Sequence, residues 1–261
     1  MDGVGPFTEG LWGATAIAQI LLLALLIARR NVSSYPAFSA YIFMTLAQSA
    51  LLFVAIKGWG FSSSVSWRIG WATQSLVLGA RAFAVAELCK HILGRFRGVW
   101  VLARWILLAC GVLVLCYGLV AASHRWQLVL NTTELGLELA VAAVIVMLLL
   151  FARYYEVMVA PPLRWLATGL CVYSCISVLN DTILERWLSR YVTLWNVFGI
   201  GAFLACLLLW TWAFRQAVPQ AAADPLLDRS VYLKIIPEVN WRLRELNEQL
   251  IRFWDLKAPR A

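Results

Sequence analysis

The sequence has few charged residues for its 261-residue length. Asp, Glu, Lys and Arg make up 14% of the chain, whereas hydrophobic residues make up 62%. Soluble domains contain about 25% charged and about 45–50% apolar residues. This composition excludes an ordinary soluble globular protein and is typical of an integral membrane protein.

Histidine is nearly absent, because only His91 and His124 occur. Two stacked histidine ligands for a haem, a three-histidine zinc site and a Ser/His dyad at membrane depth are therefore excluded. The last apolar segment has no lysine to form a Schiff base with retinal. With no assembled set of acid, base and nucleophile, we predict that the protein is not an enzyme and uses no cofactor.

None of the six cysteines falls in a predicted outer loop, so no extracellular disulfide framework is expected. Cys171 and Cys175 share a helix face, but no histidine or third cysteine has the spacing of a metal site. We predict that they are small packing residues and that the chain binds no metal.

Long apolar runs dominate the sequence. A helix crosses the hydrocarbon core, about 30 Å thick, with about 20 residues. Runs near this length cover 11–28, 36–56, 66–88, 99–122, 128–152, 163–183 and 191–214. None alternates apolar and polar residues as barrel strands do, so each predicts a helix. The expected fold class is all-α, a polytopic membrane protein with seven transmembrane helices.

Basic residues are distributed unequally between alternate loops. One side holds Arg29, Arg30, Arg95, Arg97 and the basic tail, and the opposite side holds fewer. The positive-inside rule then predicts an N-terminus outside and a C-terminus in the cytoplasm. Tryptophans fall at both ends of the predicted spans, as indole prefers the interfaces. The net charge of +8 thus reflects membrane topology, and the expected partner is the lipid bilayer with no nucleic acid.

A few ionisable residues lie within the predicted spans, where a charge costs about 2.5–3.5 kcal/mol near the bilayer centre. They include Arg81 in the third span and Glu138 in the fifth. These spans run in the same direction and place both residues near mid-depth, which predicts an ion pair. Glu87 lies nearer the cytoplasm, where pairing with Lys90 or Arg104 is expected.

Further polar residues concentrate in the outer half of the predicted bundle. The predicted set comprises Arg81, Glu134, Glu138, Asp181, Gln74, Asn180 and Asn196. We predict that they form a polar cavity open to the outside, walled by the third, fifth, sixth and seventh spans and floored by Arg81 with Glu138. The alternative is that these groups only hold the helices together.

The chain divides into a seven-helix domain, 1–215, and a tail, 216–261. Two prolines and an alanine run in 216–228 indicate a linker. From Pro237 onward, apolar residues recur at helical spacing opposite charged ones, which predicts a short amphipathic helix. Such a helix suits the inner membrane surface, the bundle, a protein partner or a second copy of the chain.

Three short motifs carry a resemblance. They are Tyr-Pro-Ala-Phe-Ser-Ala-Tyr at 35–41, Trp-Ala-Thr-Gln-Ser-Leu at 71–76 and Ala-Glu-Leu at 86–88. The stretch 35–96 resembles an uncharacterised group of bacterial seven-helix integral membrane proteins, in which an aromatic-Pro-aromatic entrance to the second span and a Glu near the inner end of the third recur. The resemblance implies a bacterial cytoplasmic (inner) membrane and no particular activity. Gln74 stands where that group has Glu.

These patterns favour a multi-pass membrane protein of sensory or scaffolding type. No effector domain follows the spans, so a sensor would act through other proteins. The alternative is a small-solute transporter or channel that uses the same cavity.

Overall fold

The computed structural model describes residues 6–60, 63–121, 126–155, 157, 159–186, 192–215 and 238–254. Every regular element in these ranges is a helix. In chain order they are α1 (Pro6–Ala28), α2 (Asn31–Ser34), α3 (Pro36–Trp59), α4 (Ser64–Leu93), α5 (Arg97–Ala121), α6 (Trp126–Tyr154), α7 (Pro161–Arg186), α8 (Val192–Ala213) and α9 (Glu238–Phe253).

Five helices, α1, α3, α5, α6 and α7, are long and apolar enough to cross a membrane. The apolar stretch of α8 is shorter, Val197–Ala213. Helix α4 has 30 residues but carries Arg68, Arg81, Glu87 and Lys90, which lower its hydropathy. The all-α fold and the class of integral, multi-pass membrane protein are confirmed. The number of seven spans and their orientation stay predictions.

Six of the long helices form a closed ring. Each helix of the ring contacts the next in the order α1, α3, α4, α6, α7, α8, and α8 contacts α1. Helix α5 lies outside this ring against α4 and α6. Only 6% of the most apolar 18-residue stretch of α5 is buried, so most of its surface faces outward. This peripheral place for α5 is not evident from a sequence of seven similar apolar runs.

The distribution of polar and apolar side chains is the reverse of that in a soluble protein. Large apolar side chains such as Phe83, Leu113 and Met147 are exposed, whereas Gln19 and Glu138 are buried. Exposed apolar area on this scale is matched to lipid, because in water it would drive association. The interior is therefore the place where polar side chains can act.

The hairpin of α3 and α4 is held at its turn by two serines. Ser63 precedes α4 and its hydroxyl accepts the Val65 N–H at 3.2 Å, a typical N-cap contact. One turn later the Ser66 hydroxyl lies 3.2 Å from the Ala55 carbonyl and 2.8 Å from the Gly60 carbonyl. These contacts satisfy carbonyls at the end of α3 and fix the register of the two helices.

One end of the ring is closed by an aromatic plug, which we define as Phe38, Tyr41, Trp210 and Phe214. All four side chains are fully buried. The Phe38 ring centroid lies 5.2 Å from that of Trp210 and 5.8 Å from that of Phe214. The indole of Trp210 packs directly on the backbone of Gly169, where a Cβ atom would collide with its ring. The plug joins α3 and α8.

The amphipathic helix predicted for the tail is present as α9 and docks on the first turns of α5. The Gly98 N–H donates to Asn247 Oδ1 at 2.8 Å, and a Cβ atom at Gly98 would collide with the α9 backbone. Trp254 stacks on Trp105 with ring centroids 6.4 Å apart, and Leu243 is fully buried. Of the predicted placements, the structure therefore has α9 against the bundle; the linker 216–228 lies outside the described residues.

Candidate functional site: a polar cavity within the helical ring

A polar cavity of about 310 Å³ lies inside the ring. Its walls come from α1, α3, α4, α7 and α8. The lining residues are Trp12, Thr15, Gln19, Tyr41, Thr45, Gln48, Ser49, Gln74, Val77, Arg81, Tyr173, Asn180, Gly199, Ile200 and Phe203. A volume of this size sits at the lower end of the range for small-molecule sites, about 300–1,000 Å³.

The walls differ from those predicted. Helices α1 and α3 contribute seven of the fifteen lining residues, and no described residue of α6 touches the cavity. The reason is the ring order, which puts α1 and α3 between α8 and α4. The prediction weighed charged residues and overlooked Thr15 with Gln19, and Thr45 with Gln48 and Ser49. Their spacing of three and four residues places each set on one helix face, and this pattern in the sequence could have indicated a polar wall on α1 and α3.

The floor of the cavity is an ion pair. Arg81 Nη1 contacts Glu138 Oε1, and the two residues are 2% and 1% exposed. The predicted pair is thus confirmed. The guanidinium carbon of Arg81 also lies 4.6 Å from the ring centroid of Tyr173 and 5.4 Å from that of Tyr41, within cation–π range. Arg81 lines the cavity, whereas Glu138 lies behind it on α6.

A second polar contact joins the same two helices, two turns away on α4 and one turn away on α6. Gln48 Nε2 donates to Gln74 Oε1 at 2.8 Å, and Gln74 Nε2 donates to Glu134 Oε1 at 2.5 Å. Gln74 and Arg81 lie seven residues apart on α4 and meet Glu134 and Glu138, four apart on α6. From the Gln74–Glu134 contact to the Arg81–Glu138 contact, the residue number increases on both helices. Helices α4 and α6 therefore run parallel, as the sequence predicts for the third and fifth spans.

The remaining predicted residues lie on α7 and α8. Asn180 lines the cavity, and its Oδ1 has no hydrogen-bond partner in the described part of the chain. Asp181 lies on α7 and Asn196 on α8, but their side chains lie outside what the structure describes. The structure therefore brings together five of the predicted residues, three at the cavity surface and two directly behind it.

Glu87 does not make the predicted pair with Lys90 or Arg104. Its two carboxylate oxygens accept the backbone N–H groups of Ala37 at 3.2 Å and Phe38 at 2.9 Å. Helix α3 begins at Pro36 and has no side-chain cap of its own. Glu87 supplies that cap from another helix, and a carboxylate at a helix N-terminus is further stabilised by the helix dipole. Spacing along α4 alone could not reveal a partner on α3.

Replacing Glu87 by alanine is expected to lower the free energy of unfolding by about 1–2 kcal/mol, because two N–H groups lose their acceptor. The measurement is denaturant titration of purified protein in lipid–detergent micelles. Glu245→Ala is the control, since Glu245 is exposed on α9 and its loss should cost less than about 0.5 kcal/mol. An equal effect of both substitutions would contradict the capping role.

Tyr35 and His91 complete this end of the ring. His91 Nε2 lies 2.9 Å from the Ser34 carbonyl, and its ring centroid is 4.9 Å from that of Tyr35. Burial, and to a lesser extent the Glu87 carboxylate, raises the pKa of the Tyr35 hydroxyl to about 12. The phenol is therefore neutral at physiological pH.

Comparisons of the chain with protein-family models, with curated proteins and with solved structures find no match. The site must therefore be interpreted from its own geometry and chemistry.

Proposed function

We propose that this protein is a seven-span sensor or scaffold of the bacterial cytoplasmic membrane, with its N-terminus outside and its C-terminus in the cytoplasm. In this proposal the cavity opens to the outside and binds a small polar solute. The protein carries out no catalysis and acts through a cytoplasmic partner or a second copy of itself. The observation that carries the proposal is a cavity lined by polar side chains inside a ring of apolar helices, with the buried Arg81–Glu138 pair beside it.

The tightly packed side chains next to the cavity favour binding over open conduction. The Arg81–Glu138 pair forms the floor, next to the aromatic plug, whose Tyr41 also lines the cavity, and Leu22 and Leu26 are fully buried. All of these side chains are 2% exposed or less. A solute that enters the cavity would return by the same route.

Helix α4 connects the cavity with the other end of the molecule. It carries Gln74 and Arg81 at the cavity, and Glu87 and His91 at the contacts with α3 and Ser34. A shift of α4 on solute binding would therefore act on the start of α3. This is the physical link that a sensor of this architecture requires.

In this proposal helix α9 transmits the conformational change to a partner or to the membrane surface. It is docked on α5 through Gly98, yet Trp241 is 55% and Phe253 77% exposed. Exposed aromatic side chains next to charged ones on a short helix fit either the interfacial region of the membrane or a protein surface.

The alternative function is a small-solute transporter. The observation that favours it is a buried ion pair on the floor of the cavity, because transporters use intramembrane charges that exchange partners between states. Flux would then require Arg81 and Glu138 to separate and the plug to open.

Labelling and flux separate these functions. Ser49→Cys lies on the cavity wall, so a charged, membrane-impermeant thiol reagent added outside should label it above the unsubstituted protein. A cysteine at Phe43, exposed on the outer surface of α3, is the matched control that lipid should protect. Failure to label Ser49→Cys would contradict an outward cavity, and solute-dependent flux in proteoliposomes above empty liposomes would favour the transporter.

The role of α9 is tested at its docking contact. Gly98→Leu should displace α9, because a side chain there collides with its backbone. We expect the amount of co-purified cytoplasmic partner, or of self-associated protein, to differ between Gly98→Leu and the control Gly111→Leu. A Cβ atom at Gly111 meets nothing within 4 Å. Unchanged co-purification and oligomeric state in Gly98→Leu, with α9 shown by proteolysis to be released, would exclude α9 as the contact.

A further inference from the structure

The cavity wall carries hydrogen-bond acceptors that the described protein groups do not use. Gln19 lines the cavity and is 1% exposed, and its side-chain carbonyl oxygen has no donor among the residues that the structure describes. The side-chain carbonyl of Asn180, also at the wall, is in the same position. Thr15 and Thr45 donate their hydroxyl hydrogens within their own helices, so each offers lone pairs to a solute. Buried carbonyls of this kind are costly unless a solute donates to them.

The same wall carries unused donors. The Tyr41 hydroxyl belongs to a fully buried side chain, and it has no hydrogen-bond partner in the described ranges. Arg81 Nε, on a residue that is 2% exposed, likewise has no acceptor there. Both residues line the cavity together with Gln19. A solute that satisfies this wall must therefore supply hydrogen-bond donors and acceptors at once.

The charge at the wall is already balanced. Among the described lining residues Arg81 is the ionised one, and it is paired with Glu138. Glu134 does not line the cavity and is bonded to Gln74, which does. An ion that entered from water would lose its hydration without meeting a free counter-charge at the wall, and this loss is far larger than for a neutral polar group. The wall therefore favours an uncharged solute.

We infer that the cavity binds a small uncharged polyol. A hydroxyl group both donates and accepts, so polyol hydroxyls can donate to the Gln19 carbonyl and accept from the Tyr41 hydroxyl and Arg81 Nε. The volume of about 310 Å³ equals the liquid volume of roughly ten water molecules, which suits a chain of a few carbons. The rings of Trp12 and Phe203 offer apolar surface for its C–H groups. This inference rests on the proposed function, because it names the class of the solute that the cavity binds.

The experiment compares four-carbon probes that differ in hydroxyl number and charge. They are erythritol, butane-1,4-diol, erythronate and 1-amino-1-deoxyerythritol, each titrated at pH 7 into the purified full-length protein in micelles by calorimetry and by thermal shift. We expect erythritol to bind about tenfold more tightly than the diol, since two further hydrogen-bonded hydroxyls have an effect of this order. The carboxylate and the ammonium probe should each bind about tenfold more weakly than erythritol, or weaker still, because each loses the hydration of an ion.

Gln19→Leu separates a binding role from a structural one. It removes the unpartnered carbonyl, so erythritol should lose about tenfold in affinity. Without solute, the thermal stability of this variant should be unchanged or higher, because no described donor depends on that oxygen. Gln249→Leu, on the exposed surface of α9, is the matched control and should leave the affinity unchanged. Lower stability with unchanged affinity for erythritol would show that Gln19 is structural and would overturn the inference.

Tyr41→Phe tests the donor side of the wall. It removes only the hydroxyl and keeps the ring of the aromatic plug, so the affinity for erythritol should fall about threefold to tenfold. Tyr154→Phe is the matched control, because Tyr154 is 63% exposed and lies outside the cavity. An affinity in Tyr41→Phe equal to that of the control would contradict a hydrogen bond from Tyr41 to the solute.

The outcomes distinguish this inference from the function on which it rests. Equal affinity for erythritol and the diol, tighter binding of either charged probe, or no binding of any probe would overturn the polyol inference alone. Solutes reach the purified protein in micelles from both sides, so this result does not depend on the direction in which the cavity opens. Absence of labelling of Ser49→Cys from outside would instead overturn the outward cavity.

Discussion

Replacing Glu138 by leucine while Arg81 remains is expected to lower the free energy of unfolding by about 3–5 kcal/mol. The guanidinium would keep its buried position but lose the carboxylate that balances it, and the described surroundings offer mainly the rings of Tyr41 and Tyr173. Denaturant titration in lipid–detergent micelles, followed by the fluorescence of the tryptophans, measures this loss. The yield of folded protein should fall in parallel.

The double variant Arg81→Leu with Glu138→Leu should recover most of this loss. A buried ion pair is expensive to desolvate, so two apolar residues of similar volume are often as stable as the pair. Arg244→Ala is the control, because its pair with Glu248 is exposed on α9 and should contribute less than about 0.5 kcal/mol. If each single substitution were tolerated as well as the double one, Arg81 and Glu138 would not be coupled. If the double variant folds but no longer binds the solute, the pair serves function as well as structure.

Replacing Gly169 by alanine is expected to lower the free energy of unfolding by about 1–3 kcal/mol, the usual effect of overfilling a packed core. The added methyl group collides with the indole of Trp210, which is fully buried and has no room to turn within the plug. The same titration in micelles measures the change.

Gly199→Ala is the matched control for Gly169→Ala. Gly199 lies on α8, and no atom is within 4 Å of an added Cβ there. That substitution should be neutral or slightly stabilising, because alanine favours the helix more than glycine does. Adding Trp210→Phe to Gly169→Ala should restore part of the lost stability, since the smaller ring leaves space for the methyl group. A harmless Gly169→Ala would mean that α7 and α8 are less closely packed than their contact indicates.

Two of the three motifs quoted in the sequence analysis, the entrance to α3 and the Ala-Glu-Leu segment of α4, lie in contact. The Tyr-Pro-Ala-Phe entrance to α3 places two N–H groups at a helix start, and Glu87 on α4 accepts both. The proline at the first position of α3 needs no acceptor, so the next two N–H groups are the ones that remain to be satisfied. An aromatic-Pro-aromatic segment and a distant Glu thus have one structural purpose, which supports treating them as a unit.

The Arg81–Glu138 pair at the candidate site could be predicted because charged groups are rare in apolar helices. Arg81 and Glu138 had few alternatives at their depth, and pairing is the least expensive arrangement for them. The polar residues of α1 and α3 were harder to recognise. A threonine or serine in an apolar run can satisfy its hydroxyl within its own helix, so its sequence position does not reveal whether it faces lipid, a neighbour or a cavity.

The amino-acid sequence is sufficient to predict the all-α class, the membrane environment, the long apolar helices, the amphipathic helix after them and the pairing of Arg81 with Glu138. These depend on composition, on run length and on the cost of burying charge, all of which are local properties. The packing of the helices, by contrast, places α5 outside a six-helix ring, brings α1 and α3 to the cavity wall and makes Glu87 the cap of α3. Such outcomes depend on which apolar faces pack together, and helices with similar apolar surfaces carry little local information about that choice.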